Sequence, residues 1–156
     1  MEMAIFKHHI QLHEGISSMK RPIMTSTAVL REPSLDATPN DAAVARDLQD
    51  TLASHAEECV GMAANMIGVN KRIIAFQDDA LNRIVVMFNP QIIQQNGEYT
   101  TEEGCLSLQG LRATTRFHNI TVQYADADFK EKIALYSGWT AQIIQHEIDH
   151  CSGILI

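Results

Sequence analysis

The chain has 156 residues, 46% of them apolar, and a formal net charge of −7. This suits one domain with a real core and leaves little room for a second. The acidic balance, without a basic stripe, argues against nucleic acid and anionic membranes as partners. No run approaches the roughly 18 apolar residues of a membrane-spanning helix, and the start lacks the pattern of a secretion signal, so a cytoplasmic protein is expected.

Residues 1–18 read as a flexible extension ahead of a second plausible start at Met19, with His8 and His9 part of a tail rather than a metal tag. Residues 19–156 are then one domain. After the turn-prone "EPSLDATPND", Val44, Leu48 and Leu52 fall at helical spacing and predict an amphipathic helix over 41–57, with Asn40 or Asp41 as N-cap. The segment "VGMAANMIGV" is small and apolar with two glycines, which predicts extended backbone packed closely against a neighbour. Five short strands are expected in "KRIIAF", "RIVVMFNPQII", "LRATTRF", "ITVQYAD" and "KIALYS", with Asn89-Pro90 and Asn96-Gly97 as breakers. A last helix is expected over 139–151, where Ile143 and Ile144 supply the apolar face and Gly153 the stop. Strands bracketed by helices imply an α+β domain, with mixed or antiparallel strands packed around the C-terminal helix.

Three cysteines, Cys59, Cys105 and Cys151, are too few and too widely spaced for a disulfide framework. A ligand role therefore competes with simple burial for each. The segment "QHEIDH" places His146 and His150 one helical turn apart, so both imidazoles can face one ion while Glu147 reaches a water beside it. The competing reading is a surface helix with incidental histidines. A catalytic site needs a third protein ligand. The position six residues after His150, where one common pattern has histidine, is Ile156, so the third ligand is expected upstream. Candidates are Cys105, His118, His55, Glu102 and Glu103. Cys105 is favoured because "EEGCLS" sets a thiol after a glycine that lets the backbone approach closely, and a thiolate is stabilised beside a dication. His118 and His55 read as surface or partly buried residues.

Three separated blocks, "VGMAANMIG" at 60–68, "EGCLS" at 103–107 and "QHEIDHCSG" at 145–153, resemble the peptide deformylase family in content, order and spacing. The resemblance covers the chain from about residue 30 to its end. It implies that Cys105, His146 and His150 bind one divalent metal ion, usually Fe2+ and replaceable by Zn2+, Ni2+ or Co2+. It also implies that Glu147 is the general acid and base. The reaction implied is hydrolysis of the N-formyl group from the initiator methionine of a formyl-methionyl peptide or nascent chain, releasing formate, in the setting of protein synthesis and the ribosome. The backbone N–H of Leu106 is the expected oxyanion donor. Gly61, Met62 and Gly104 are the expected substrate contacts, with the peptide extended along the strand edge after Gly61.

The first block departs from the family where its usual glutamine becomes Met66, because a thioether cannot donate the hydrogen bond that the amide gives to the reacting carbonyl. Asn65 is not expected to substitute, since neighbours in an extended segment point to opposite faces. Cys59 stands in place of a glycine, Met62 conserves the volume of a leucine, and Cys151 reads as a core residue or as a redox-sensitive thiol. The alternative function is a catalytically silent paralogue that holds metal and binds N-terminal peptides or a protein partner. Glu147 favours an enzyme. A structural zinc domain fits less well, because three ligands and a glutamate describe an open site.

Overall fold

The computed structural model describes residues 19–156, so the expected tail at 1–18 lies outside the described residues. A four-residue helix α1 (Thr27–Leu30) is capped by Ser26 and buries Leu30 completely. The main N-terminal helix, α2 (Ala42–Ser54), follows a 3-10 turn over Pro39–Asp41. Asp41 is the N-cap of α2, one of the two expected positions, but its side chain makes no capping bond there; side-chain capping occurs at the preceding 3-10 turn. The Thr38 hydroxyl accepts from the Asn40 N–H, and the Asp41 carboxylate accepts from the Thr38 N–H, a reciprocal pair that satisfies otherwise orphaned donors. The helix also stops at Ser54 rather than Glu57, and turns closed by the His55 carbonyl lead to Cys59.

Five strands follow: β1 (Gly61–Ala63), β2 (Ile73–Asp78), β3 (Arg83–Cys105), β4 (Leu108–Ala125) and β5 (Glu131–Ser137). They lie in the sheet in chain order, and every neighbouring pair is antiparallel. The last helix, α3 (Gly138–Cys151), is closed by Gly153 at φ 73°. Both sheet faces are covered. Ile73, Ala75, Val86 and Phe88 point to one side, where Leu48 and Leu52 of α2 cover them. Their neighbours Ile74, Phe76 and Met87 point to the other, where Ala141, Ile143 and Ile144 of α3 pack. The period of two along each strand thus builds two cores from one sheet.

The strands depart from their expected lengths. Residues 111–117 and 120–126, expected as two strands, belong to one uninterrupted β4 apart from Asp126, and β3 runs through both expected breakers. The register shifts between Phe88 and Gln91 and again between Ile92 and Gln94, bulges that absorb Pro90 without ending the ladder. Asn89 adopts φ 51° there, and its side chain accepts from Ala37 N–H at 2.7 Å and donates to Ala37 C=O at 3.0 Å. Gly97 takes φ 77° and likewise lets the chain bend while staying paired. Beyond these bulges the two strands form a ribbon that carries Cys105 at its tip. The "VGMAANMIGV" segment is extended only over Gly61–Ala63; Ala64–Ile67 coil into a 3-10 turn that Gly68 closes at φ 82°.

Asn89→Ala removes both bonds to Ala37 and leaves a left-handed residue without its compensation. It is expected to cost about 2 kcal/mol of stability in urea unfolding, and Asn89→Gly less, because glycine relieves the backbone strain.

Candidate metal centre

The inward face of α3 presents the histidines to the ribbon tip. His146 is 8% exposed and His150 0%, which rules out the surface-helix reading. Their Nε2 atoms lie 3.2 Å apart, and Cys105 Sγ lies 3.3 Å from His150 Nε2. All three ligand atoms fall within 4.8 Å of one another. One sulfur and two imidazole nitrogens aimed at a common point suit Zn2+ or a late first-row ion, with a coordination position left open. The other candidate ligands are accounted for elsewhere. His118 is exposed and stacks on Tyr99 at 4.1 Å, His55 pairs with Glu58 at 3.1 Å, and Glu102 is exposed.

Glu103 is not in the ligand group but holds one of its members. Its carboxylate lies 2.9 Å from His146 Nδ1, so the ring N–H donates to it and leaves Nε2 free to ligate. Burial would raise the Glu103 pKa, but hydrogen bonds from His146, Arg116 and Gln142 outweigh it and hold the group at about 2. Arg116 is 3% exposed and forks between Glu103 at 2.7 Å and Asp149 of α3 at 2.6 Å. Gln145 adds a second clamp: its Oε1 accepts from Phe117 N–H at 2.8 Å and its Nε2 donates to Phe117 C=O at 2.9 Å. Sequence reasoning missed Arg116, Asp149 and Gln145. A signal was present in "LRATTRF", where alternation puts Arg112, Thr114 and Arg116 on one face of a strand that contains no acid.

Glu147 is 4% exposed, and its Oε2 has no hydrogen-bond partner among the described residues. Burial pushes its pKa up to about 7 against the pull of the His146 ring. Such a carboxylate can both take and return a proton near neutrality. It faces a cavity of about 410 Å³ bounded by Cys59, Val60, Gly61 and Met66 on one side and by Gly104, Cys105 and Leu106 on the other. Gly61 is required by space, since a Cβ there would sit 2.7 Å from Ile143 Cγ2 and 2.9 Å from Glu147 Oε1. Gly104 is less constrained: a Cβ there would meet Leu111 Cδ2 at 3.2 Å, the end of an exposed side chain. Met62 does not line the cavity; it is fully buried in the core under α2.

Val60 C=O accepts from Gln77 N–H, so Val60 and Met62 pair with β2 and the N–H and C=O of Gly61 face the open edge of the sheet. The Cys59 thiol, pushed up to about 12 mainly by burial, donates to that Gly61 carbonyl at 2.8 Å. Across the cavity, the Leu106 N–H has no acceptor among the described residues. Met66 is 1% exposed and lines the cavity from the 3-10 turn. Asn65, in that turn rather than in an extended segment, donates its Nδ2 to the His150 carbonyl. Cys151 is 1% exposed and packs in the core, with burial pushing its thiol up to about 12, as befits an inert side chain.

Glu103→Ala leaves the buried Arg116 with Asp149 as its remaining carboxylate partner and frees the His146 ring. Metal affinity is expected to fall about 10–100-fold in chelator competition and stability by about 3–5 kcal/mol in urea unfolding.

The polypeptide deformylase family profile matches residues 16–156. A peptide deformylase of Clostridium beijerinckii is 50% identical over 138 residues, covering 88% of this chain and all of that protein. A peptide deformylase of Carboxydothermus hydrogenoformans is 36% identical, covering 86% of this chain and 84% of the relative. Among solved structures, the class I type b peptide deformylase of Acinetobacter baumannii superposes with a TM-score of 0.78 at 26% identity, covering 88% of this chain and 97% of the other. That of Thermus thermophilus gives 0.75 at 30% identity, covering 88% and 83%. The likeness spans the glycine segment, the ribbon and the histidine helix alike, and on it this chain belongs to the peptide deformylase family.

Proposed function

We propose that this chain removes the formyl group from the initiator methionine of new polypeptides, with Cys105, His146 and His150 holding one divalent ion and Glu147 moving the protons. The observation that carries this reading is the buried, unpartnered carboxylate of Glu147 facing a cavity beside three converging ligand atoms. The ion, Fe2+ in this proposal with Zn2+, Ni2+ or Co2+ as substitutes, supplies Lewis acidity that brings the pKa of water toward about 7.

The remaining work falls to the chain itself. Glu147 Oε2 takes the proton of the attacking water and returns it to the departing amine nitrogen, two transfers that its pKa near 7 serves equally. The Leu106 N–H is the donor for the oxygen of the reacting carbonyl, in a site where few dipoles need reorient. The peptide extends along β1, its backbone meeting the N–H and C=O of Gly61 at the open edge. Val60, Leu106 and Ile143 offer apolar wall for the methionine side chain. The Acinetobacter baumannii enzyme has been solved with Met-Ala-Ser bound, a peptide that begins with methionine, as the product proposed here does. The reading places the protein in the cytoplasm, acting on chains at or leaving the ribosome.

Met66 favours a second reading. At the glutamine position it provides no donor, and loss of one such donor typically costs about 10²–10³ in turnover. A protein that keeps the metal and binds N-terminal peptides without turning them over would also tolerate it.

Formate release from formyl-Met-Ala-Ser by protein loaded anaerobically with Fe2+ or Ni2+ separates the two. The expected result is measurable turnover, a loss of about 10²–10⁴ in Glu147→Ala with metal retained, and a gain on the order of tenfold or more in Met66→Gln. Stoichiometric metal with no formate from either wild type or Met66→Gln would remove the enzymatic reading.

A further inference from the structure

His150 carries a demand that its immediate surroundings leave open. Its Nε2 faces both Cys105 Sγ and His146 Nε2, so when that nitrogen ligates an ion the ring proton resides on Nδ1. Nδ1 is buried, and no acceptor reaches it among the described residues. His146 differs, because Glu103 holds its Nδ1. Asn65 has the complementary need. It is 2% exposed, and its Oδ1 is buried without a donor among the described residues. Its Nδ2 is committed at 2.8 Å to the carbonyl of His150 itself, 85 residues along the chain. That bond fixes the orientation of the amide, since turning it over would set two acceptor oxygens against each other. This buried donor and this buried acceptor, two of the six unpartnered buried polar side-chain atoms among the described residues, belong to residues already joined by another hydrogen bond.

We propose that Asn65 is the positioning residue of His150: Nδ2 fixes the last-turn carbonyl of α3, and Oδ1 takes the ring N–H through one bridging water, so that Nε2 presents its lone pair to the ion. Buried polar pairs of this kind are normally closed, by a water when the atoms are too far apart to touch. The 3-10 turn that carries Asn65 also carries Met66 into the cavity, so the turn secures a ligand with one residue and lines the substrate space with the next. The inference rests on the reading that Cys105, His146 and His150 hold one ion.

The test measures Co2+ affinity by chelator competition, the visible absorption of bound Co2+, and the thermal midpoint of the metal-free protein. Asn65→Leu is near in volume and lacks both polar atoms; it is expected to bind Co2+ tenfold or more weakly, with an altered absorption band. Asn65→Asp keeps an acceptor for the ring N–H and loses the donor to the carbonyl, so it is expected to hold Co2+ within about threefold of wild type while its metal-free midpoint falls. Equal Co2+ affinity in Asn65→Leu and wild type would overturn the proposal, as would Asn65→Asp binding as poorly as Asn65→Leu. A wild type that takes up no Co2+ would instead fell the metal centre on which the proposal rests.

Discussion

The buried guanidinium of Arg116 decides where the last helix lies. It reaches Glu103 on its own ribbon and Asp149 on α3, and Glu103 in turn holds His146. A cation this deep is costly unless every donor finds a partner, and here two carboxylates answer it. The strand tip that carries Cys105 and the helix that carries both histidines are thereby locked to each other. The spacing of the ligand atoms follows from that lock. Gln145 repeats the connection one turn earlier with neutral groups, reading the Phe117 backbone as a neighbouring strand would.

The sheet makes this arrangement possible by having two dry faces. Because α2 covers one side and α3 the other, residues of α3 that point inward are removed from water at both ends of the helix. Its apolar residues pack on β2, while Gln145, His146, Glu147 and His150 are buried against the ribbon and the 3-10 turn. Burial then does chemical work. It raises Glu147 toward neutrality while hydrogen bonds hold Glu103 near 2, so two carboxylates beside His146, one its neighbour in sequence and the other bonded to its ring from the ribbon, are set to opposite states. Glu103 stays charged and holds the His146 ring; Glu147 is left with the pKa that the proposed proton transfers require.

Much of the site was legible because it is written in local spacing. Two histidines four apart and a glycine two residues past the helix gave α3 and two candidate ligands, and a cysteine behind a glycine gave the favoured third among five candidates. What local spacing does not carry is partnership across the chain. Asn89-Pro90 reads as a breaker unless Ala37, 52 residues earlier, is known to hold the asparagine. Asn65 reads as one residue of an extended run unless the His150 carbonyl is known to lie beneath it. Arg116 looks like an ordinary exposed strand residue until the ribbon folds over α3. The expected α+β class survives these errors, since the alternation of Ile73 through Phe76 fixes both faces regardless of where β3 was thought to end.

The central claim is that fold contacts bring one sulfur and two imidazole nitrogens to a single ion with a position left open. X-ray absorption at the zinc edge of the Zn2+-loaded protein tests it most directly. The account predicts one sulfur at about 2.3 Å, two nitrogens at about 2.0–2.1 Å and a light atom completing the shell. A shell without sulfur, or one filled by four protein ligands, would contradict it.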